Sequence, residues 1–319
     1  MSDDTTPETE TDGGAEAILE RDPNMANGHD PDDAARSTAS EFKGEDLVIG
    51  YPSGDKPVIG GESVAVAPGE VTALVGPNGS GKSTLLKGLA DQLALDDGTV
   101  LLDGKDVHAL ETKELARKLG LLSQENTSPE SISVEKLVEH GRYPHRGFFD
   151  SMTDEDRQAI DRAISLAGVE HLREREVGSL SGGQKQLVWI AMVLAQETDV
   201  LLLDEPTTFL DLHHQLEVME IVETLRDESD ITVVLVLHDI DQAARYADRM
   251  VALKDGAIYE LGTPEEVVTE DLLAEVFEID AEVELTERGP RIVPLRPRHD
   301  DDDRNGATGQ VARSDGGDS

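Results

Sequence analysis

The sequence predicts an α/β fold whose central strands lie in a parallel sheet. Three observations carry this reading. GPNGSGKST at residues 76–84 is a glycine-rich loop set between an apolar strand and an apolar-striped helix. VLLL at 200–203 and ITVVLVL at 231–237 are continuous apolar runs, as strands buried on both faces require. Residues 125–180 lose strand signals and take up helical periodicity, which predicts a small helical insertion in the core.

The glycine-rich loop has the form G-x-x-x-x-G-K-[ST]. It runs from Gly76 through Pro77, Asn78, Gly79, Ser80 and Gly81 to Lys82, Ser83 and Thr84. Phosphates concentrate negative charge, so a chain that binds them brings backbone N–H groups close. Gly76, Gly79 and Gly81 permit that approach because they lack a Cβ. Lys82 reaches β and γ phosphates, and the Ser83 hydroxyl suits Mg²⁺. Val71–Val75 is the strand leading in. Leu85, Leu86, Leu89, Ala90 and Leu93 recur at helical spacing behind the loop, which therefore opens a helix whose dipole attracts anions. A chance glycine turn would not carry both flanks.

The 319 residues suffice for one large domain or two smaller ones. There is no cysteine, which excludes disulfides, thiolate nucleophiles and cysteine metal sites. No apolar run approaches the roughly 18 residues of a membrane span. The start MSDDTTPETE is acidic and lacks the basic region of a secretory signal, so a cytoplasmic location is expected. The formal charge is −40, with 28 Lys and Arg against 68 Asp and Glu. Long apolar-periodic segments argue against a disordered chain. Acidity spread along the whole length points to a surface suited to high salt rather than to a cationic partner. No nucleic-acid-binding face is expected. Residues 1–40 and 297–319 are acidic and poor in apolar residues, and read as disordered arms.

In chain order, Asp46–Ile49 and Ser63–Val66 read as short strands. Tyr51 follows the first, where an aromatic ring can stack on a purine base or simply pack. Residues 99–102 and 119–123 are further strands, and Asp103-Gly104 marks a hairpin. Gln124 stands at a strand end, where it can hold a metal-bound or attacking water or serve as a plain loop residue. Thr153–Asp156 has the form of a helix start, Ile160, Ala163, Ile164 and Ala167 share a face, and Gly168 suits the stop. LSGGQKQ at 180–186 opens the next helix, with Ser181 at the cap and Leu187, Ile190, Ala191, Leu194 and Ala195 on its apolar face. That entry is either an ordinary helix start or a second anion site. VLLLDEP at 200–206 ends in Asp204 and Glu205. Open α/β sheets bind ligands at the carboxyl ends of their strands. Asp204 is therefore assigned to Mg²⁺, and Glu205 to orienting and deprotonating a water. His238 ends the 231–237 strand at the same edge and is assigned to the γ-phosphate. Met250–Leu253 and Ala257–Glu260 flank Asp255-Gly256 as a hairpin.

Together these parts resemble the nucleotide-binding subunit of ABC transporters over roughly residues 41–296. GPNGSGKST is similar to the Walker A motif, VLLLDEP to Walker B with its catalytic Glu205, and LSGGQKQ to the signature that names the family. Walker motifs alone would be shared with many NTPases; LSGGQ between them is highly specific. Gln124 fits the Q-loop, Asp211 in TTFLD the D-loop, His238 the H-loop and Tyr51 the A-loop. The resemblance implies a P-loop NTPase core of the ABC type: a mixed sheet, an antiparallel β subdomain, and a helical subdomain inserted at 125–180. It implies ATP and Mg²⁺ as ligands. Ser83, Gln124 and Asp204 would serve the metal, and Lys82, Gln124, Glu205 and His238 catalysis. Tyr51, the loop 76–84, Ser181, Gly182, Gly183, Gln184 and Asp211 would contact nucleotide. Two copies would close head to tail over two ATP molecules. That homodimer would drive transmembrane permease subunits from the cytoplasmic side of the membrane, served indirectly by an extracytoplasmic substrate-binding protein.

GRYPHRGFF (141–149), AMVLAQETDVLLLDEPTTFLDLHHQ (191–215) and LHDIDQAARYADR (237–249) resemble the importers of ferric siderophores, with cobalamin and haem importers as the alternative. A soluble ABC ATPase for cofactor assembly, such as one serving iron–sulfur scaffolds, is the reading of a different class. The single cassette disfavours paired-cassette translation factors. About 55 residues separate Gln124 from Leu180, too few for the long coiled-coil arm of DNA-repair ATPases.

Overall fold

Apolar and β-branched runs become strands in the computed structural model, which describes residues 40–298 apart from 53, 55, 125, 128, 148 and 149. The acidic arms expected at either end lie outside the described residues, except for Ser40, Pro297 and Arg298.

The chain begins with Phe42–Ile49 (β1), Ile59–Val66 (β2), Val71–Val75 (β3), the helix Lys82–Leu89 (α1), Leu95–Leu102 (β4) and Lys105–Asp106 (β5). Strands β2-β1-β4-β5 form an antiparallel four-stranded sheet. The strand β1 starts four residues before the expected Asp46. Its inward face is Phe42, Gly44, Leu47 and Ile49, and the register slips between Gly44 and Leu47 where Asp46 takes φ 50°. That bulge hides the alternation from a period-two reading. The helix α1 is shorter than its apolar stripe: Asp91 at φ 54° ends it, and Leu93 packs back onto the same core from beyond the helix.

Next come Thr112–Lys118 (α2) and Leu119–Leu122 (β6), then Val134–Val138 (α3), Asp154–Leu166 (α4) and Gly182–Leu194 (α5). The helical insertion is thus present, and α4 starts on the expected Thr153 capping box. Val200–Asp204 (β7), Leu212–Glu228 (α6), Thr232–Val236 (β8), Ile240–Tyr246 (α7), Arg249–Lys254 (β9) and Ala257–Gly262 (β10) complete the core. Pro264–Val267 (α8), Glu270–Val276 (α9), Ile279–Thr286 (β11) and Gly289–Pro297 (β12) follow. The β11–β12 hairpin was not anticipated from the sequence.

The main sheet runs β10-β9-β3-β8-β7-β6, parallel except for the β9–β10 hairpin. Its strands β3, β7 and β8 are buried on both faces. Leu201, Leu203, Val233 and Leu235 join the core on the side of the helical insertion. Val200, Leu202, Val234 and Val236 join the core shared with α1 and the antiparallel sheet. Each such side chain contributes about 1.5–3 kcal/mol. This double burial fixes the register, and the register aligns the strand ends: Leu122 pairs with Leu203, and Asp204 and Leu74 both pair with Val236. The residues just beyond these ends therefore share one edge.

Candidate functional site

The loop after β3 closes tightly on the sheet. Gly76 has φ 145°, and a Cβ there would lie 2.2 Å from the Leu253 carbonyl oxygen. Only glycine allows that approach. The helix α1 starts at Gly81 without a side-chain cap, so its first N–H groups and its dipole face the loop. Lys82 is buried, and its Nζ donates to the carbonyls of Gly76 at 2.8 Å and Pro77 at 2.9 Å. Burial pushes the Lys82 ammonium pKa down, against the pull of Glu205 and Asp204.

Asp204 ends β7 almost fully buried, which pushes its carboxyl pKa up although Ser83 and Lys87 oppose the shift. The Ser83 Oγ donates to Asp204 Oδ1 at 2.7 Å, and Lys87 Nζ lies 3.8 Å from Oδ2. Asp204 Oδ2 is buried without a hydrogen-bond partner. An orphaned carboxylate oxygen beside a serine hydroxyl is the hard-oxygen donor set that Mg²⁺ takes, so these residues fit that ion.

Glu205 adopts φ 52° and turns its carboxylate toward two other strand ends. Gln124 Nε2, after β6, donates to its Oε2 at 2.6 Å. His238 Nε2, after β8, lies 2.6 Å from its Oε1. Thr208 Oγ1 adds a bond to Oε2 at 3.2 Å. Tyr51 is half-exposed, with its hydroxyl 3.3 Å from Thr84 Oγ1. Tyr51, Asn78, Lys82, Ser83, Glu205 and His238 line one cavity of about 290 Å³. A larger cavity of about 620 Å³ is lined by residues of α6 and α7 and by the turn of the β11–β12 hairpin, and shares no residue with the first.

The remaining sequence-predicted residues form a second group that does not line the smaller cavity. Ser181 Oγ accepts from the Gln184 N–H at 3.2 Å, and Gln184 Oε1 accepts from the Ser181 N–H at 3.2 Å, so the two close a capping box at the start of α5. Gly182 lies open beside it. Asp211 caps α6 by accepting from the His214 N–H at 3.0 Å. Sequence reasoning passed over Lys87, Thr208 and His214. Lys87 follows Ser83 by four residues on the same helix, a spacing that places both on one face and points it out.

A family model described as ABC transporter matches residues 60–208. Among curated relatives, the probable siderophore transport system ATP-binding protein YusV of Bacillus subtilis is 45% identical over 76% of this chain and 88% of its own. The ferric enterobactin transport ATP-binding protein FepC of Escherichia coli is 43% identical over 81% of this chain and 95% of its own. The dimeric structure of MJ0796, a bacterial ABC transporter cassette, superposes with a TM-score of 0.63 at 28% identity, covering 70% of this chain and 98% of that one. Among the described residues, no helix is long and apolar enough to cross a membrane. A phosphate loop, a strand-end carboxylate pair and a capped LSGGQ helix on this sheet, together with these relatives, identify the chain as a member of the ABC transporter family, a nucleotide-binding ATPase subunit.

Proposed function

We propose that the chain powers the import of iron(III)–siderophore complexes. The observation that carries the catalytic part is the meeting of Gln124, Glu205 and His238, from three strand ends, beside the loop that holds Lys82. Lys82 and the N–H groups of residues 76–84 bind the ATP phosphates, and Tyr51 stacks on the base. Ser83, Asp204 and Gln124 would hold Mg²⁺, which supplies charge neutralisation on the phosphates. Glu205 takes the proton of the attacking water, and His238 contacts the γ-phosphate. Ser181, Gly182, Gly183, Gln184 and Asp211 of one copy close on the ATP held by the other. This accounts for their standing apart from the cavity of their own chain. The dimer acts on permease subunits at the cytoplasmic side of the membrane, with an extracytoplasmic binding protein delivering the chelate.

The siderophore assignment is supported by the names of the relatives and by the three segments quoted from the sequence. Uptake of radiolabelled ferric siderophore and of labelled cobalamin in a strain lacking the gene tests it. Loss of ferric siderophore uptake alone, restored by the wild-type chain and not by Lys82→Ala, is the expected result. Loss of cobalamin uptake alone overturns the substrate assignment.

A further inference from the structure

At Gly183 a side chain would meet a residue of another helix. A Cβ there would stand 2.3 Å from both Cγ and Cδ2 of His214, and 2.7 Å from its Nδ1. The imidazole of His214 therefore rests directly on the backbone that opens α5. The same ring donates its Nδ1–H to Asp211 Oδ1 at 2.8 Å, the oxygen that also caps α6. The His214 side chain is 20% exposed. Its neighbour His213, 78% exposed and 3.5 Å from Glu217, makes no comparable bridge. A second tie, Gln186 Nε2 to the Pro206 carbonyl at 3.0 Å, joins the first turns of α5 to the segment after Glu205.

We propose that His214 is a positioning residue that locks the Ser181–Gln184 turn to Asp211, so that both meet the nucleotide of the second copy as one block. The proposal rests on the two-copy reading above. Gly182 and Gly183 have no side chains of their own to pack, and glycine backbone is the most pliable. The Gln186 bond holds α5 one turn further in, whereas the imidazole braces the turn itself. Losing the ring frees the turn by an amount that matters, because misplacing a contacting group by about 1 Å can cost on the order of a hundredfold in rate. His214 does not line the cavity that holds Lys82 in its own chain. Its removal should therefore spare the first encounter with ATP.

The test uses the full chain as wild type, His214→Ala and His214→Asn, each also combined with Glu205→Gln. Hydrolysis is followed against ATP concentration, ATP binding is measured on dilute single chains, and sedimentation with ATP reads dimer formation. His214→Ala should lower kcat at least about tenfold. It should weaken the ATP-dependent dimer of the Glu205→Gln chain, with ATP binding to single chains changed less than about twofold. Asn carries an N–H donor near the place of Nδ1 and should restore at least about half of kcat. An unchanged kcat in His214→Ala overturns the proposal. So does a loss that Asn does not repair and that comes with weaker single-chain binding and a lower melting temperature, which marks a general folding role. If the Glu205→Gln chain alone stays monomeric with ATP, the two-copy reading is what fails, and the inference falls with it.

Discussion

Oε1 of Glu205 lies 2.6 Å from Nε2 of His238, while Gln124 donates to the other oxygen, also at 2.6 Å. The carboxylate is therefore aimed by two neighbouring strand ends and not by its own flexible stem. An amide in its place would keep the shape and lose the proton acceptor. Glu205→Gln should bind ATP with near-normal affinity and lower kcat by about 10²–10⁴, the usual span for a general base. Single-turnover hydrolysis in the purified protein measures it, and undiminished turnover would refute the assignment.

Lys82 is held over the phosphate loop by the carbonyls of Gly76 and Pro77. A charge-assisted bond to phosphate is worth about 1.5–3 kcal/mol, which is roughly ten- to a hundredfold in affinity. Lys82→Ala should weaken ATP binding by that factor while circular dichroism stays unchanged. Calorimetric titration with ATP decides the matter, and wild-type affinity counts against the role.

The strand-end half of the site was legible from the chain alone because it depends only on local order. Asp204, Glu205 and His238 directly follow apolar runs that bury both faces, so their edge is known once the strands are. Lys87 was legible from its four-residue spacing to Ser83 and was passed over. His214 was not legible, because its contact with Gly183 depends on how α5 and α6 face each other. Thr208 was not, because its bond to Glu205 depends on the turn that Glu205 makes at φ 52°. Within the fold, β1 was read short because the Asp46 bulge breaks its alternation. The β11–β12 hairpin was missed because Pro290, Pro294 and Pro297 argue against a strand. A two-stranded ribbon tolerates them, since β12 pairs on one side only.

Inside the helical insertion, Arg142 is buried and its Nε donates to Asp156 Oδ1 at 3.0 Å, while Nη1 reaches the Ala195 carbonyl and Glu197. This network ties α4 to the end of the helix that Ser181 opens. Burial alone would raise the Asp156 pKa, but bonds from the Thr153 backbone and hydroxyl and from Arg142 outweigh it and hold it at about 2. The folded value lies below the ordinary 3.8, so the stabilisation is fully present above that pH and is lost as pH falls toward 2. It amounts to about 2 kcal/mol. Asp156→Asn should remove this part of the acid sensitivity between those values. Arg142→Ala leaves a buried carboxylate without its partner and should cost about 3–5 kcal/mol. Urea unfolding across that pH range tests both, and an unaltered slope in Asp156→Asn rejects the assignment.

The net charge of −40 sets a long-range repulsion that folding must overcome. Exposed pairs such as Arg157 with Asp154 offset little of it, because surface ion pairs contribute weakly. Buried pairs such as Arg142 with Asp156 are screened less than the surface charges. Added salt therefore removes mostly repulsion, and the screening length falls to about 3 Å at 1 M. Each kcal/mol of relieved repulsion should raise the melting temperature by roughly 2–4 °C for a domain of this size. Calorimetric scans from 0.05 to about 2 M KCl should show a continuous rise, steepest where the screening length is still longer than the spacing of surface carboxylates. A melting temperature highest in the most dilute buffer would mean that attractive surface pairs outweigh the acidic excess, and that the acidity serves something other than salt tolerance.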